Sequence, residues 1–553
     1  MFRSKAYKWL FANVKSVIWQ ILFLTLLGVG ISYVSVRFAL AAQVLLDSAT
    51  GVSDKPLFAC VINLAVLLVL DISLQSLYSI LSVRLGAVYK NRLQRNLFSC
   101  VMTRDFADMG EFHSGEIINR LTKDISIVSG NVIDLIPTVV MLVSGVVMSF
   151  MALARLDMSL ALICIALGPV VIASSALYGR RVKSLHAECR RSDGSILSFM
   201  QECIQNLMVI KAFRNEKKVT SYTGDLQRHN YKLNMKVGYT SLAVNVLYFL
   251  AMTAAYYFAV AWCAYKIQQG IMTIGAFTAI VQLVGSVQSP FRDISGTVTQ
   301  FFATCASAER IMEIEDIRSD EPQGESVTDF DRLEVNNLCF AYDDESVLED
   351  ACLSFDRGDA VVISGASGKG KSTLFKLLLG MYKPRSGDIC IYNKEEKISL
   401  SSDTRSLFAY VPQGNMIISG TIEDNIAFFD DNPDRLLVEE AADCACILDY
   451  IYTLPDGLDT VIGENGAGLS EGQIQRIAVA RAIYANAPII LLDEATSALD
   501  DDTEAMILSN IKELSGKTCV MITHRKAAFA IANKSFVLDN KKFTESAITS
   551  ETI

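Results

Sequence analysis

Residues 365–373 read GASGKGKST, which fits the pattern GxxxxGK[ST]. An apolar run at 360–363 precedes the motif and a helical pattern follows at 373–379, so the motif stands between a predicted strand and a predicted helix. A chance glycine-rich turn would lack that setting. Glycines in such a loop let backbone N–H groups point at phosphate oxygens. Lys371 is predicted to reach the β- and γ-phosphates of ATP, and the Ser372 hydroxyl to ligate Mg²⁺. The loop residues predicted to bind ATP are Gly365, Ala366, Ser367, Gly368, Lys369, Gly370, Lys371, Ser372 and Thr373.

Two further motifs favour an ATP-hydrolysing domain. The run IILLDE at 489–494 is an apolar strand pattern that ends in two carboxylates. Asp493 suits the Mg²⁺ shell, and Glu494 suits polarising the attacking water. In SEGQ at 470–473, Ser and Gln have the spacing of a capping box, and the helix start that it predicts is a site for anions. Each motif alone has a plain structural explanation, an acidic strand end or an ordinary helix start.

The chain ahead of these motifs is apolar enough to cross a membrane repeatedly. A bilayer span needs about 20 mostly apolar residues. The first 312 residues contain six such stretches, and several continue as amphipathic helices beyond the length that a bilayer needs. The predicted transmembrane helices are at about 16–46, 56–83, 135–154, 158–179, 237–265 and 271–305.

The connections between these helices indicate the topology. The segments 84–134 and 180–236 are long and rich in Lys and Arg, whereas 47–55, 155–157 and 266–270 are short and hold one cation each. The positive-inside rule therefore places the long segments and both termini in the cytoplasm. We expect a multi-pass protein of the plasma or inner membrane, in contact with its lipids.

The character of the sequence changes after residue 312. Residues 313–331 are acidic and polar, which predicts a linker, and 332–553 alternates short β-rich runs with helical patterns, which predicts a soluble α/β domain. The formal charge of −10 combines a basic first part, with 29 Lys and Arg against 17 Asp and Glu, and an acidic second part, with 21 against 43. A disordered chain is excluded by the 51% hydrophobic content, and the acidic balance together with six spans argues against a nucleic-acid partner.

The signature region identifies a family resemblance. GAGLSEGQ at 466–473, twenty residues before DEATSALD at 493–500, resembles the nucleotide-binding domain of an ABC transporter. The rest of the chain resembles an exporter-type half-transporter, in segments 105–124, 206–216 and 306–310. The resemblance implies a membrane α-helical domain of six helices, of the type IV exporter kind, followed by an α/β P-loop ABC ATPase domain.

The resemblance also implies roles for individual residues. Tyr342 matches the aromatic that stacks on adenine, Gln413 the glutamine that senses Mg²⁺ and the γ-phosphate, and His524 the switch histidine. Together with Glu494, Gln413 and His524 form the implied catalytic set, and Ser372, Gln413 and Asp493 the implied Mg²⁺ set. Ser470 and Gly472 match residues that contact the γ-phosphate of ATP held by the opposite domain. Gln473 and Asp500, which closes the inter-domain loop, complete the implied ATP-binding set.

Two positions depart from the family pattern. Glu471 replaces the first of the two glycines in the signature, which leaves the geometry of the shared ATP site open, and Lys369 adds a cation to the phosphate loop. Because the signature faces the partner's phosphate loop in this family, a second half-transporter is expected. The motifs permit a homodimer and one half of a heterodimer alike.

The cargo is harder to predict. Asp71 lies within an apolar stretch, and an intramembrane carboxylate is a functional hypothesis by default. We expect it to line the translocation cavity and to favour cationic or polar cargo; a structural pair with Arg37 or a polar helix contact explains it equally well. The expected function is ATP-driven export of a drug, lipid or peptide. The alternatives are an importer of a metal chelate and an ATP-gated channel or regulatory membrane protein.

Overall fold

The computed structural model describes most of the chain. The residues that it describes are 2–321, 327–343, 345–366, 368–394, 396–414, 417–463, 466 and 468–547, with side chains left undescribed at 2–4, 167–183, 244–245, 247–248 and 292–295. They form two compact units. The first contains residues 1–99 and 114–316, and the second contains residues 100–113 and 317–553.

The first unit is helical. Its helices are α1 (Phe2–Val14), α2 (Ile18–Ala49), α3 (Leu57–Thr103, which ends in the second unit), α5 (Ser114–Asn119), α6 (Ile125–Leu156), α7 (Met158–Gln205), α8 (Leu207–Ala212), α9 (Glu216–Gln268) and α10 (Ile274–Glu315); the short α4 (Phe106–Met109) belongs to the second unit. A helix overlaps each of the six apolar stretches of the sequence. At about 1.5 Å per residue, the 47 residues of α3 far exceed the thickness of a bilayer core.

Four helical stretches of the described residues are long and apolar enough to cross a membrane. They are Lys5–Ala49, Leu57–Thr103, Ser114–Leu156 and Ile274–Glu315. In the remaining two long helices, α7 and α9, part of the side chains lies outside the described residues. Helix α6 packs against α2 and α10, and α7 packs against α9. One apolar core joins several of these helices, with fully buried Leu153, Leu160, Cys263, Ile280 and Leu283.

Two buried carboxylates hold helices of this unit together. Asp157 caps the N-terminus of α7 and accepts hydrogen bonds from Lys266 Nζ (2.5 Å) and Trp262 Nε1 (3.1 Å) of α9. Asp124, just before α6, is 1% exposed and pairs with Arg310 of α10, while Ser307 donates to it at 2.9 Å. The segments 105–124 and 306–310, which both matched the exporter pattern, therefore contact each other through this pair.

The second unit is built on β-sheets. Its strands are β1 (Arg332–Tyr342), β2 (Glu345–Asp356), β3 (Ala360–Ser364), β4 (Ser386–Asn393), β5 (Glu396–Ser399), β6 (Phe408–Val411), β7 (Gly420–Thr421), β8 (Val461–Ile462), β9 (Ile489–Asp493), β10 (Thr518–Ile522), β11 (Lys534–Asp539) and β12 (Lys542–Glu545). Its helices after α4 are α11 (Lys371–Leu378), α12 (Ile422–Ala427), α13 (Arg435–Cys444), α14 (Leu448–Thr453), α15 (Glu471–Tyr484), α16 (Asp501–Glu513) and α17 (Lys526–Ile531).

The central sheet has the order β12-β11-β3-β10-β9-β6, with β11, β3, β10, β9 and β6 parallel and β12 antiparallel at one edge. Strands β3, β9 and β10 have almost every residue buried, as expected for apolar strands covered on both faces. An antiparallel sheet β2-β1-β4-β5 and the pair β7-β8 complete the unit. The order of elements predicted from sequence, a helical part followed by an α/β part with a parallel sheet, is confirmed.

Candidate nucleotide site

The parallel strands bring the predicted site residues to one edge of the sheet. The phosphate loop follows β3, Gln413 follows β6, Glu494 follows β9 and His524 follows β10. Since the carboxyl ends of neighbouring parallel strands meet at one edge, these four segments converge there, at the usual place of ligand binding in an open α/β sheet.

The phosphate loop is shaped by its glycines. Gly365 has φ 139° and Gly370 φ 107°, both in the region that side chains rarely adopt. A Cβ on Gly365 would also stand 2.6 Å from the carbonyl oxygen of Leu538. Lys371 begins α11 and is only 5% exposed, with Nζ donating to the carbonyl oxygens of Gly365 (2.5 Å) and Ala366 (3.2 Å). Ser367, predicted to bind ATP, lies outside the described residues.

Asp493 forms the buried end of the site. It is the last residue of β9 and 1% exposed, and it accepts hydrogen bonds from the Ser372 hydroxyl (3.0 Å) and the Tyr410 hydroxyl (3.3 Å). Burial raises the pKa of the Asp493 carboxyl, and the neighbouring Glu494 raises it further. Burial beside Asp493 also raises the pKa of Tyr410. A cation bound at Asp493 would therefore stabilise the ionised carboxylate, which burial disfavours.

Glu494 and Gln413 contact each other directly. Gln413 Nε2 donates to Glu494 Oε2 at 2.7 Å. Glu494 has a positive φ of 48°. This turn follows directly on the buried strand, and the Glu494 backbone N–H donates to Ile522 of β10 at 2.9 Å. The two predicted catalytic side chains thus lie together, next to Asp493.

His524 and Tyr342 flank the phosphate loop. His524 Nε2 is 3.4 Å from Lys371 Nζ. The Tyr342 hydroxyl is 3.4 Å from Thr373 Oγ1, and its ring makes edge contacts with Phe340 (4.9 Å) and Tyr382 (5.4 Å). Tyr342 is therefore near the loop, in an aromatic cluster that includes Tyr382.

The signature forms a capped helix start, as the sequence indicates. Ser470 Oγ accepts from the Gln473 backbone N–H (3.3 Å), and Gln473 Oε1 accepts from the Ser470 N–H (2.8 Å). Gly472 lies so close to the loop after Glu494 that a Cβ would be 3.1 Å from the Ala498 carbonyl oxygen. Asp500 caps α16 by accepting from the Thr503 N–H at 2.8 Å, which lowers the pKa of its carboxyl. Among the described residues no hydrogen bond or ion pair joins 470–473 to the phosphate loop.

Three residues of this region were missed by sequence reasoning. Tyr410 donates to Asp493; its position on the strand before Gln413 was the available signal. Gln475 Nε2 donates to the Ser497 hydroxyl at 3.0 Å, and Gln475 Oε1 accepts from the Ala498 N–H at 3.0 Å. Arg525 donates to the carbonyl oxygens of Ser497 (2.8 Å) and Leu499 (2.7 Å). Gln475 and Arg525 thereby attach the 497–499 loop to the signature helix and to the segment carrying His524.

The donor set fits ATP and Mg²⁺. A carboxylate, a hydroxyl and an amide oxygen, from Asp493, Ser372 and Gln413, are oxygen ligands of the kind that Mg²⁺ takes. Lys371 and the left-handed glycines supply a cation and inward backbone N–H groups for phosphate oxygens. Asp493 is buried against the Ser372 hydroxyl, which is the arrangement that a shared cation needs.

Asp71 has a polar neighbour on its own helix. Asp71 Oδ2 accepts from Gln75 Nε2 at 2.7 Å, while its buried Oδ1 has no hydrogen-bond partner among the described residues. No ion pair with Arg37 is found in the described part of the chain. Further along α3, Ser82 donates to Asp134 of α6 at 2.5 Å. Polar side chains at positions 71, 75, 78 and 82 recur at helical spacing on one face of α3.

The helical unit and the P-loop ATPase unit together define an ATP-driven membrane transporter. Residues 17–291 match the family described as ABC transporter transmembrane region, and residues 348–497 match the family described as ABC transporter. The chain belongs to the ABC transporter family. It is a multi-pass membrane protein whose ABC ATPase domain is coupled to export.

Relatives and a solved structure agree with this assignment. The ATP-dependent lipid A-core flippase of Pseudomonas fluorescens is 30% identical over 474 residues, which cover 85% of this chain and 78% of the relative. The protein of that name from Pseudomonas aeruginosa is 31% identical over 474 residues, covering 84% and 77%. A bacterial Atm1-family ABC exporter with ATP bound shares the fold, with a TM-score of 0.79, 24% identity and coverage of 97% of this chain and 95% of that one.

Proposed function

We propose that this chain is one half of a dimeric exporter that uses ATP hydrolysis to move an amphiphilic lipid with a polar or cationic head group across the membrane. The observation that carries the ATPase step is the convergence of Lys371, Ser372, Asp493 and Glu494 at one sheet edge, with Gln413 bonded to Glu494 at 2.7 Å. The lipid cargo is supported by the lipid A-core flippases among the relatives.

Each residue of the site has a distinct task in hydrolysis. Lys371, freed from the loop carbonyls, neutralises phosphate oxygens, and Ser372, Asp493 and Gln413 would hold Mg²⁺, which supplies charge stabilisation for phosphoryl transfer. Glu494 orients and polarises the attacking water, with its carboxylate positioned by Gln413. Tyr342 lies near Thr373, which suits a ring that stacks on the adenine base.

Two chains are needed for a complete site. Residues 470–473 present a capped helix start, with N–H groups for phosphate, and make no hydrogen bond or ion pair with the phosphate loop of their own chain among the described residues. Pairing with a second half-transporter would place them on the partner's ATP. Binding of ATP between two such domains favours a closed dimer, and that differential affinity is what shifts the membrane helices.

Asp71 supplies the cargo side of the proposal. Its Oδ1 is buried without a partner in the described chain, on a helix whose preceding stretch 57–70 carries no charged residue. A carboxylate inside a membrane is stabilised by a cation or by a polar group of the cargo. This supports a cargo with a cationic or polar head group and an apolar remainder.

The protein is proposed to lie in the plasma or inner membrane with its termini and ATPase domain in the cytoplasm. The long basic connections support that topology. Labelling of single engineered cysteines in the 47–55 and 180–236 segments, with a reagent that does not cross the membrane, tests it in intact cells. We expect labelling only in the short segment.

Transport is tested with purified protein in liposomes. Fluorescent lipids with cationic, zwitterionic and anionic head groups are incorporated, ATP is supplied on the side of the ATPase domain, and an impermeant quencher measures lipid arrival in the opposite leaflet. We expect ATP-dependent movement away from the ATPase side, fastest for cationic and zwitterionic head groups. Movement towards the ATPase side would indicate an importer, and ATP-dependent ion conductance without lipid movement would indicate a channel.

A further inference from the structure

The phosphate loop carries a second lysine that the loop does not need for its shape. Lys369 lies between Gly368 and Gly370, and its side chain is 44% exposed. Its ammonium pairs with Asp539 at the end of β11, at 2.9 Å, and Asp539 is 59% exposed. Solvent screens an exposed pair of this kind, so Lys369 can exchange this partner for another at little cost.

The part of the chain that the structure describes holds no partner for the Glu471 carboxylate. Glu471 is the first residue of α15 and exposed, and no hydrogen bond or ion pair of its side chain is found among the described residues. The helix cap is complete without it, because Ser470 and Gln473 satisfy each other's backbone N–H groups. Within one chain its negative charge complements the dipole of α15 at the first turn, which leaves the carboxylate available for an ion pair with a cation.

The position of Glu471 also carries a cost in the assembled site. If the signature helix approaches ATP held by a partner, as in the proposed function, an extra carboxylate approaches phosphate oxygens. Like charges at short range repel strongly once water is excluded. Lys371 does not offset this charge, because in the proposed function its buried ammonium is already paired with the phosphate oxygens of ATP. The exposed cation of that loop is Lys369.

We propose that Glu471 of one copy pairs with Lys369 of a second copy of this chain, so that the transporter assembles as a homodimer. The proposal rests on the shared ATP site of the proposed function. It explains both departures from the family pattern together, since each charge neutralises the other across the interface. In a twofold dimer every contact occurs twice, so one chain that carries both residues supplies two complementary pairs.

Charge reversal in mixed dimers tests the pair. Lys369→Glu or Glu471→Lys in both copies places like charges opposite each other at both sites, and we expect kcat/KM for ATP to fall about tenfold in each case. Co-expression of the two variants with different tags, followed by tandem purification, isolates full-length dimers with one copy of each. Such a mixed dimer has one normal pair and one reversed pair, so we expect its kcat/KM to return to within about threefold of the unmodified protein.

A matched control separates pairing from a general charge effect. Lys541 resembles Lys369 in exposure (46%) and in its surface ion pair, with Glu349 at 2.7 Å. The Lys541→Glu homodimer keeps both proposed pairs and should hydrolyse ATP like the unmodified protein, and its mixed dimer with Glu471→Lys should lie between its two parents. The Lys369→Glu mixture, in contrast, should exceed both of its parents. A tenfold loss in the Lys541→Glu homodimer would overturn the proposal, as would a Lys369→Glu mixture no more active than its parents.

The result is separable from the proposed ATPase mechanism. Tandem purification itself reports whether two copies of this chain associate, without any reference to turnover, and thermal unfolding of each variant reports folding. Failure of differently tagged copies to co-purify would overturn the homodimer. Unmodified protein that forms homodimers but hydrolyses no ATP would instead contradict the proposed function.

Discussion

Glu494 is the residue whose chemistry the proposed mechanism depends on most. It has a positive φ and accepts a hydrogen bond from Gln413, beside the buried Asp493. Glu494→Gln keeps the size of the side chain but removes the negative charge that polarises water. We expect ATP turnover to fall by about 10²–10⁴-fold while ATP binding persists, since general-base catalysis contributes that much.

Steady-state phosphate release and equilibrium binding of a fluorescent ATP analogue measure the two effects. Glu440→Gln, an exposed carboxylate of α13, is the matched control and should leave turnover unchanged. Turnover within threefold of the unmodified protein in Glu494→Gln would rule out a general-base role.

The buried Asp493 makes a prediction about pH. Its pKa is raised in the folded protein, so above the ordinary value of 3.8 the folded state binds more protons than the unfolded state, and stability falls as pH rises. Asp493→Asn removes this penalty. We expect a higher Tm at pH 7, because each kcal/mol of added stability raises Tm by about 2–4 °C in a domain of this size. We expect no gain in Tm below about pH 4.

Thermal unfolding of the purified chain between pH 4 and 8, with EDTA and without nucleotide, checks this dependence. Asp501→Asn, at a 98% exposed carboxylate, is the control. A Tm gain of the same size at every pH would show that the change acts through packing and not through ionisation.

At the scale of elements, α4 is a four-residue helix that belongs to the ATPase unit although it follows a membrane helix in sequence. Asp105 caps it, the Asp105 N–H donates to Arg318 at 3.0 Å, and Phe106 makes an edge contact with Tyr382 at 5.9 Å. Tyr382 in turn contacts Tyr342. The contacts of Phe106 with Tyr382 and of Tyr382 with Tyr342 thus link α4 to the predicted adenine site.

Phe106→Ala should uncouple transport from hydrolysis. Removal of the ring deletes an aromatic contact worth about 0.5–1.5 kcal/mol without touching the phosphate loop. We expect basal ATP turnover within about twofold and loss of most cargo stimulation, measured as ATPase activity with and without lipid cargo. Phe98→Ala, an exposed aromatic of α3, serves as control. Undiminished stimulation in Phe106→Ala would remove this contact from the coupling path.

A second element-scale feature is the pair that joins α7 to α9. The Asp157 side chain is 2% exposed and Lys266 is 25% exposed. Lys266→Gln leaves the buried carboxylate without its cation. We expect the free energy of unfolding to fall by about 3 kcal/mol, the low end for a buried pair, because the lysine is partly solvated. Thermal unfolding in detergent should show a lower Tm, and Asp157→Asn in the same chain should restore part of it. Lys55→Gln, exposed, should have no effect; equal Tm values for Lys55→Gln and Lys266→Gln would contradict the pairing energy.

At the scale of the whole molecule, cargo recognition and ATP hydrolysis must be joined, and Asp71 tests that link. Asp71→Asn keeps the hydrogen bond with Gln75 available but removes the charge. We expect transport of a cationic lipid to fall about tenfold and the cargo-stimulated part of the ATPase to disappear, because a half-buried carboxylate inside a membrane favours a cationic partner. Ser73→Ala, on an exposed part of α3, is the control. Unchanged transport of cationic and anionic lipids would exclude Asp71 from the cargo path.

The parts of the fold that depend on local pattern were predictable. The phosphate loop, the strand that ends at Asp493 and the cap of α15 each lie within a few residues of their signals, and the structure has β3, β9 and α15 at those places. The sequence predicted that helices such as α3 and α9 continue beyond the bilayer, but it did not predict where they end. The polar residues of a long helix do not mark its last residue.

Contacts between distant segments were not predictable from pattern. Tyr410 bonds Asp493 across 83 positions, and Arg310 bonds Asp124 across 186. A tyrosine in a strand and an arginine at a helix end have many possible partners. The choice depends on which strands and helices become neighbours.

The sequence by itself determined the class of this protein, because hydrophobic stretches of membrane length and a phosphate-binding motif act through local chemistry that needs few neighbours. The tertiary structure decided which groups share a site. Only the parallel order of β6, β9, β10 and β3 brings Gln413, Glu494, His524 and Lys371 to one edge, and only burial raises the pKa of Asp493. Proximity and desolvation are properties of the packed chain, and they are what turn a list of motif residues into a site.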